Sequence, residues 1–102
     1  MIDTGQEDVS TQIIQPSLML LSNYPNPFNP ETKIEFTLPT ASEINLTIYN
    51  LQGKKVTTLK TGYCTAGIHT VDFDGTNLPS GTYFYTLQTK NSTTTRKMLL
   101  VK

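Results

Sequence analysis

One histidine limits the acid–base chemistry open to this chain. A catalytic dyad or triad would have to use His69, with Ser80, Asp72, Asp74 or Cys64 as partners. None of those spacings forms a nucleophile signature such as G-x-S-x-G, and a histidine on a strand or at a sheet rim is the plainer reading. Asp72-Phe73-Asp74-Gly75-Thr76-Asn77 carries part of a calcium loop. Its glycine comes too early and no glutamate follows at the required spacing, so turn chemistry accounts for it better. Tyr24, Tyr49, Tyr63, Tyr83 and Tyr85 could stack on sugar faces, or could be core and sheet-face residues. Asn45-Leu46-Thr47 and Asn91-Ser92-Thr93 match the glycosylation pattern, although Asn45 falls within a strand. The chain is therefore read as non-enzymatic, with no catalytic residue, metal ligand or cofactor.

The elements that must position these residues are strands. A length of 102 residues with a formal net charge of zero describes one domain. That balance favours neither nucleic acid nor an anionic membrane surface. No apolar run approaches the length needed to span a bilayer, Leu18-Met19-Leu20-Leu21 being far too short, so no membrane insertion is expected. The first eight residues lack a secretory signal; either the protein is cytosolic or the chain is cut from a longer one. A single Cys64 cannot form an internal disulfide, so the core alone must hold the fold.

Residues 1–17 are polar and aperiodic and are expected to form a flexible leader or linker; residues 18–102 form the domain. Leu18–Leu21 reads as a first strand or a tether. Lys33–Leu38 alternates, with Ile34, Phe36 and Leu38 on one face. Glu43–Asn50 repeats the pattern with Ile44, Leu46 and Ile48 inward. Asn50-Leu51-Gln52-Gly53 reads as a hairpin loop. In Lys54–Lys60 the spacing of Val56 and Leu59 breaks the period of two, which predicts a bulge or an early strand end. Thr61–Gly67 is expected to be a loop. Ile68–Phe73, Thr82–Thr89 and Thr93–Val101 complete the strands, separated by the turn-rich Asp74–Gly81 and Lys90–Ser92. Short strands at regular spacing, with no helical period, predict an all-β, antiparallel sandwich.

One loop does not fit the usual softness of loops. In Asn23-Tyr24-Pro25-Asn26-Pro27-Phe28-Asn29-Pro30, three prolines lack a backbone N–H and fix φ near −65°. The residues before them are pushed away from helical geometry. The segment is expected to be a stiff, extended clasp carrying Tyr24 and Phe28 as two aromatic pegs. The last strand, ending Leu99-Leu100-Val101-Lys102, offers a handle for another protein by edge addition or through an apolar face. The same strand admits a weak dimer.

The clasp with Ile34 and Phe36 after it, Ile48-Tyr49-Asn50 with Gly53, Gly67-Ile68-His69-Thr70-Val71, Pro79-Ser80-Gly81-Thr82-Tyr83 and Arg96–Lys102 occur in a fixed order. Together they resemble the type A C-terminal sorting domain of type IX secretion cargo, over roughly residues 20–102. The Ig-like domain of flagellar hook-capping proteins is similar in fold. The resemblance implies an Ig-like sandwich of about seven strands. It also implies a Gram-negative bacterium in which periplasmic cargo, N-terminal to the domain, crosses the outer membrane through a translocon to the surface or the exterior. A sortase-like peptidase would then remove the domain within or near residues 1–22. Carried over by position, the elements read by translocon or sortase components are Tyr24, Pro25, Asn26, Pro27, Phe28, Asn29 and Pro30, then Gly81 and Tyr83, then Lys97 and Lys102. Two other roles compete with sorting: a carbohydrate-binding or adhesion module, and a structural Ig-like spacer of a secreted multidomain protein.

Overall fold

The computed structural model describes residues 20–102. The proposed leader, residues 1–17, lies outside them. Seven strands run β1 (Leu20–Tyr24), β2 (Glu31–Leu38), β3 (Ser42–Tyr49), β4 (Lys55–Cys64), β5 (Gly67–Asp74), β6 (Gly81–Thr89) and β7 (Thr93–Leu100). They form two antiparallel sheets, ordered β1-β2-β5 and β4-β3-β6-β7. This is the all-β antiparallel sandwich predicted, with no helix among the described residues.

Alternation places the core. Ile34, Phe36 and Leu38 from β2 meet Ile44, Leu46 and Ile48 from β3, and Tyr83, Tyr85 and Leu87 from β6; all are buried. Met98 and Leu100 close the core from β7, while Leu99 and Val101 remain exposed on the other side. A strand side chain flips face with every residue, so a one-residue slip in any of these strands would expose its apolar set.

The broken period in β4 is a bulge, not a strand end. Leu46 pairs with Lys60 and Thr47 with Thr58, which leaves Leu59 extra. Ile48 pairs with Thr57 and Tyr49 with Lys55, which leaves Val56 extra. Both extra residues are partly buried against the core. The bulges let two apolar side chains turn inward without ending the ladder. The expected loop at 61–67 is therefore corrected. β4 continues to Cys64, because Gly62 at φ 119° sits within the ladder opposite Ile44. Only Thr65 and Ala66 remain between β4 and β5.

The Asn50–Gly53 loop forms as expected. Asn50 Oδ1 accepts from the N–H groups of Gln52 (3.0 Å) and Lys54 (2.9 Å), and Gly53 takes φ 83°. The first strand extends further than the apolar run suggested, reaching Tyr24 and pairing throughout with β2.

Candidate partner-recognition surface

The proline segment connects β1 to β2. These strands are antiparallel neighbours, and Tyr24 already pairs with Lys33, so the chain must reverse between them. The segment consequently bends and is not extended overall, which corrects the expected geometry. What it does instead is cross from one sheet to the other and lie along the outer edge of β7.

The crossing uses backbone and side chain in turn. The Phe28 N–H donates to the Leu99 carbonyl at 2.9 Å, and the Val101 N–H donates to the Phe28 carbonyl at 2.9 Å. Phe28 thus forms a parallel bridge opposite Leu100. The Leu99 N–H donates to Asn26 Oδ1 at 3.0 Å, and Asn26 Nδ2 donates to the Lys97 carbonyl at 3.4 Å. An exposed strand edge is a template for unwanted pairing, and prolines with no N–H cannot extend a ladder outward. The order Pro-Asn-Pro-Phe therefore satisfies the end of β7 on one side and offers few donors on the other. Edge addition along Lys97–Val101, one of the two modes expected of the terminal strand, meets an edge that is already occupied.

The clasp is held from beneath. Phe28 is buried and packs at 6.0 Å from Phe73, with the rings inclined by 59°. The Pro30 carbonyl accepts the Gly75 N–H at 2.8 Å. A Cβ at Gly75 would lie 3.0 Å from Leu100 Cδ2, 3.3 Å from the Pro30 oxygen and 3.4 Å from Phe28 Cε2. The Pro25 carbonyl accepts from the buried Thr32 hydroxyl at 2.9 Å and from Asn23 Nδ2 at 3.2 Å. Asn23 Oδ1 in turn accepts from the Tyr85 hydroxyl at 2.9 Å, which ties β1 to β6 across the sandwich. Burial pushes the Tyr85 phenol up, with the Arg96 charge acting the other way.

The chain terminus is tied to the same end. The Lys102 N–H donates to Ser80 Oγ at 3.1 Å, and its ammonium donates to the Thr76 carbonyl. The turn that receives it is ordered by Asp74, whose Oδ1 accepts from the Thr76 N–H at 2.9 Å and from the Thr76 hydroxyl. The Asp74 carboxyl is held below its usual range by the Thr76 hydroxyl first, then the Thr76 N–H, with Lys102 adding attraction. The Tyr83 hydroxyl donates to the Pro79 carbonyl at 2.7 Å. A tyrosine at the start of this strand, bonded a few residues upstream, is the tyrosine corner of Ig-like sandwiches.

The sequence-predicted residues thus divide by placement. Phe28 and Tyr83 are buried anchors. Pro25, Asn26, Pro27, Asn29, Lys97 and Lys102 are exposed around the clasp and the end of β7, and Pro30 is half-buried. Gly81 opens β6 at φ 151°, backbone that favours glycine. Tyr24 does not act as a second peg. It is 82% exposed on the outer face of the three-stranded sheet, because Leu21 and Asn23 take the inward positions of β1. Sequence reasoning missed Asn23, Thr32, Gly75, Thr76 and Ser80, whose roles depend on partners far along the chain. Gly75, Thr76 and Ser80 fall in the turn-rich stretch and Asn23 opens the clasp, but nothing in those stretches pointed to their partners.

The competing chemistries do not assemble. His69 stacks on Phe36 at 5.2 Å, and its Nε2 lies 2.8 Å from the Thr65 carbonyl. No cluster of metal-binding side chains occurs among the described residues. The five tyrosines do not gather: Tyr83 and Tyr85 are buried, Tyr24 lies on one sheet, and Tyr49 and Tyr63 lie at opposite ends of the other.

A family model described as a secretion system C-terminal sorting domain matches residues 22–102. The chain belongs to that family. No curated protein matches the sequence. As a C-terminal sorting domain it is a signal for type IX secretion, recognised by that machinery on behalf of cargo N-terminal to it. Its destination is the cell surface or the exterior of a Gram-negative bacterium. Sorting domains of this family are in general non-catalytic.

Proposed function

We propose that residues 18–102 are the folded address, and that its readable surface is the clasp end: the exposed rim of residues 25–30, Lys97 and the Lys102 terminus. The supporting observation is the pair of 2.9 Å bonds that Phe28 makes to Leu99 and Val101. They bring two segments far apart in sequence into one surface. An unfolded chain cannot present that surface, so the signal reports that folding is complete. Phe28, Tyr83 and Gly81 support it from below; Asn26, Lys97 and Lys102 are its polar contacts. Residues 1–17 serve as the leader, and removal by a sortase-like peptidase occurs within or near residues 1–22, a range whose last three residues already belong to β1.

The test attaches the full chain to the C-terminus of a periplasmic reporter in a host with a working type IX system. Surface or medium reporter is expected to fall several-fold with Lys97→Ala and with Asn26→Ala, while circular dichroism of the purified chains stays native. Deleting Lys97–Lys102 should abolish export. Undiminished export from both point variants would remove the clasp end as the readable surface.

A further inference from the structure

The outer face of the four-stranded sheet carries a row of four side chains, two aromatic and two basic. Register places Lys55 opposite Tyr49, Tyr49 opposite Phe84, and Phe84 opposite Lys97. The two aromatic residues are half-buried side by side at the centre, and the two lysines are exposed at the flanks. Three strand spacings separate the ammonium-bearing positions, about 14 Å. The next rows away from the clasp are uncharged: Thr58, Thr47, Thr86 and Thr95, then Thr61, Asn45, Gln88 and Thr93. The Thr86 and Thr95 hydroxyls lie 3.0 Å apart, on the side opposite the buried Tyr85 and Leu87. Toward the clasp the row continues into Leu99, 41% exposed, and the hairpin's Leu51, 64% exposed. Leu51 borders a hollow of about 330 Å³ that Leu78, Pro79 and Thr82 also line.

Charge decides what this row fits. Residues 20–102 hold eight basic and five acidic side chains, a net of +3. Four of the five acids, Glu31, Glu35, Asp72 and Asp74, lie on the outer face of the other sheet, where Lys33 already bridges Asp72 at 2.7 Å. The four-stranded face keeps a single acid, Glu43, at its far end. The two faces of the sandwich are therefore opposite in sign, and the aromatic row sits on the basic one.

We propose that this row is a docking strip for an acidic, extended polypeptide segment of a partner protein, with an apolar side chain seated in the hollow beside Leu51. The charge complement selects the acidic segment. The aromatic pair supplies flat, low-entropy contact area between the two cations. The strip shares Lys97 with the clasp end, whose Asn26 bonds the Lys97 carbonyl, but Lys55, Tyr49 and Phe84 take no part in the clasp, so loss of binding on Phe84→Thr with export intact would separate the two readings.

The test is nuclear magnetic resonance titration of the full chain with two synthetic probes, a peptide of alternating glutamate and leucine and its lysine–leucine counterpart. Shifts with the acidic probe are expected at Lys55, Tyr49, Phe84, Lys97 and Leu51, and affinity should fall at least tenfold between 50 mM and 500 mM salt. The Lys55→Glu/Lys97→Glu pair, both exposed, should weaken binding at least tenfold with an unchanged fold. Phe84→Thr, a strand-compatible exchange, should weaken it several-fold. Polygalacturonate serves as a third probe. Equal binding of polygalacturonate, with Phe84→Thr without effect, would show a mere polyanion site and overturn the proposal. So would shifts confined to the Lys33–Asp72 face, or binding of the lysine–leucine peptide.

Discussion

The two ends of the sandwich are built by different means. At the end away from the clasp, the connections at 39–41, 65–66 and 90–92 are short, and their bonds are mostly local. Ser92 bonds Thr89 through backbone and side chain, at 2.8 and 3.1 Å. Outside the strand ladders, the one long-range hydrogen bond there among the described residues, Lys90 N–H to Ser42 Oγ, is 3.5 Å. That end also has the larger hollow, about 730 Å³. The clasp end has local turn bonds as well, at Asn50–Lys54 and Asp74–Thr76, but it adds bonds that join Asn26 to Leu99, Phe28 to Val101, Pro30 to Gly75 and Lys102 to Ser80. Local turns are specified by a few neighbouring residues and tolerate exchange. Long-range bonds require ordering of distant segments, so each depends on particular residues. The site is therefore sought where the chain spends its long-range order, and the bigger cavity is no guide to it.

The sharpest way to break this contrast is to empty the anchor. Phe28→Ala removes a buried aromatic that no neighbour can replace, at a cost of about 3–5 kcal/mol in urea-denaturation stability. Asn91→Ala, at the exposed tip of the other end, should change stability by less than about 0.5 kcal/mol. Equal losses at the two positions would erase the distinction. Gly75→Ala comes next. Its new methyl would press on Leu100, whose side chain can move, and on the Pro30 carbonyl, which cannot, for about 1–3 kcal/mol. Tyr83→Phe keeps the ring and loses the Pro79 bond, for about 0.5–1.5 kcal/mol. Amide exchange sharpens the comparison further: Asn26→Ala should speed exchange at Leu99 without altering Leu87 in the core.

How much of this was legible in the sequence follows from range. Alternation exposed Ile34, Phe36, Leu38, Ile44, Leu46 and Ile48, because a strand's facing is decided by adjacent residues. Val56 and Leu59 announced an irregularity, and both proved to be the extra residues of bulges. A broken period has two local readings, and only the partner strand chooses between them. The continuation of β4 through Gly62 was hidden because glycine signals loops as readily as it tolerates strained strands. The clasp was legible as rigid but not as a reversal, since rigidity is a property of proline and direction is a property of where β2 pairs. Tyr24 and Phe28 look alike as aromatic residues beside prolines. Strand facing exposes Tyr24, and the bridge to Leu100 buries Phe28. Asn23, Thr76 and Ser80 sit in stretches that stood out, but their partners Tyr85 and Lys102 gave no warning, because a hydrogen bond across the fold leaves no period behind it.

The smallest effect tests the tail, where the clasp end is held by charge as well as by geometry. Asp74 bonds Thr76, the Thr76 carbonyl receives the Lys102 ammonium, and all three groups are at the surface. The folded carboxyl titrates below its unfolded value, so the native state binds fewer protons than the unfolded chain as pH falls through that range. Its contribution is then complete above the ordinary carboxyl range, near pH 4, and is lost as pH drops through the lower folded value. Exchange of the Lys102 and Thr76 amides, corrected for intrinsic rates, should accelerate as pH falls below the ordinary carboxyl range, near pH 4. In Asp74→Asn the protection should be lower at neutral pH and flat across that window. Exposure and salt keep the effect small. If the Lys90–Ser92 amides at the other end accelerate together with Thr76 in the same window, the acid response belongs to global unfolding; if neither moves, the tail is held by its backbone bonds alone.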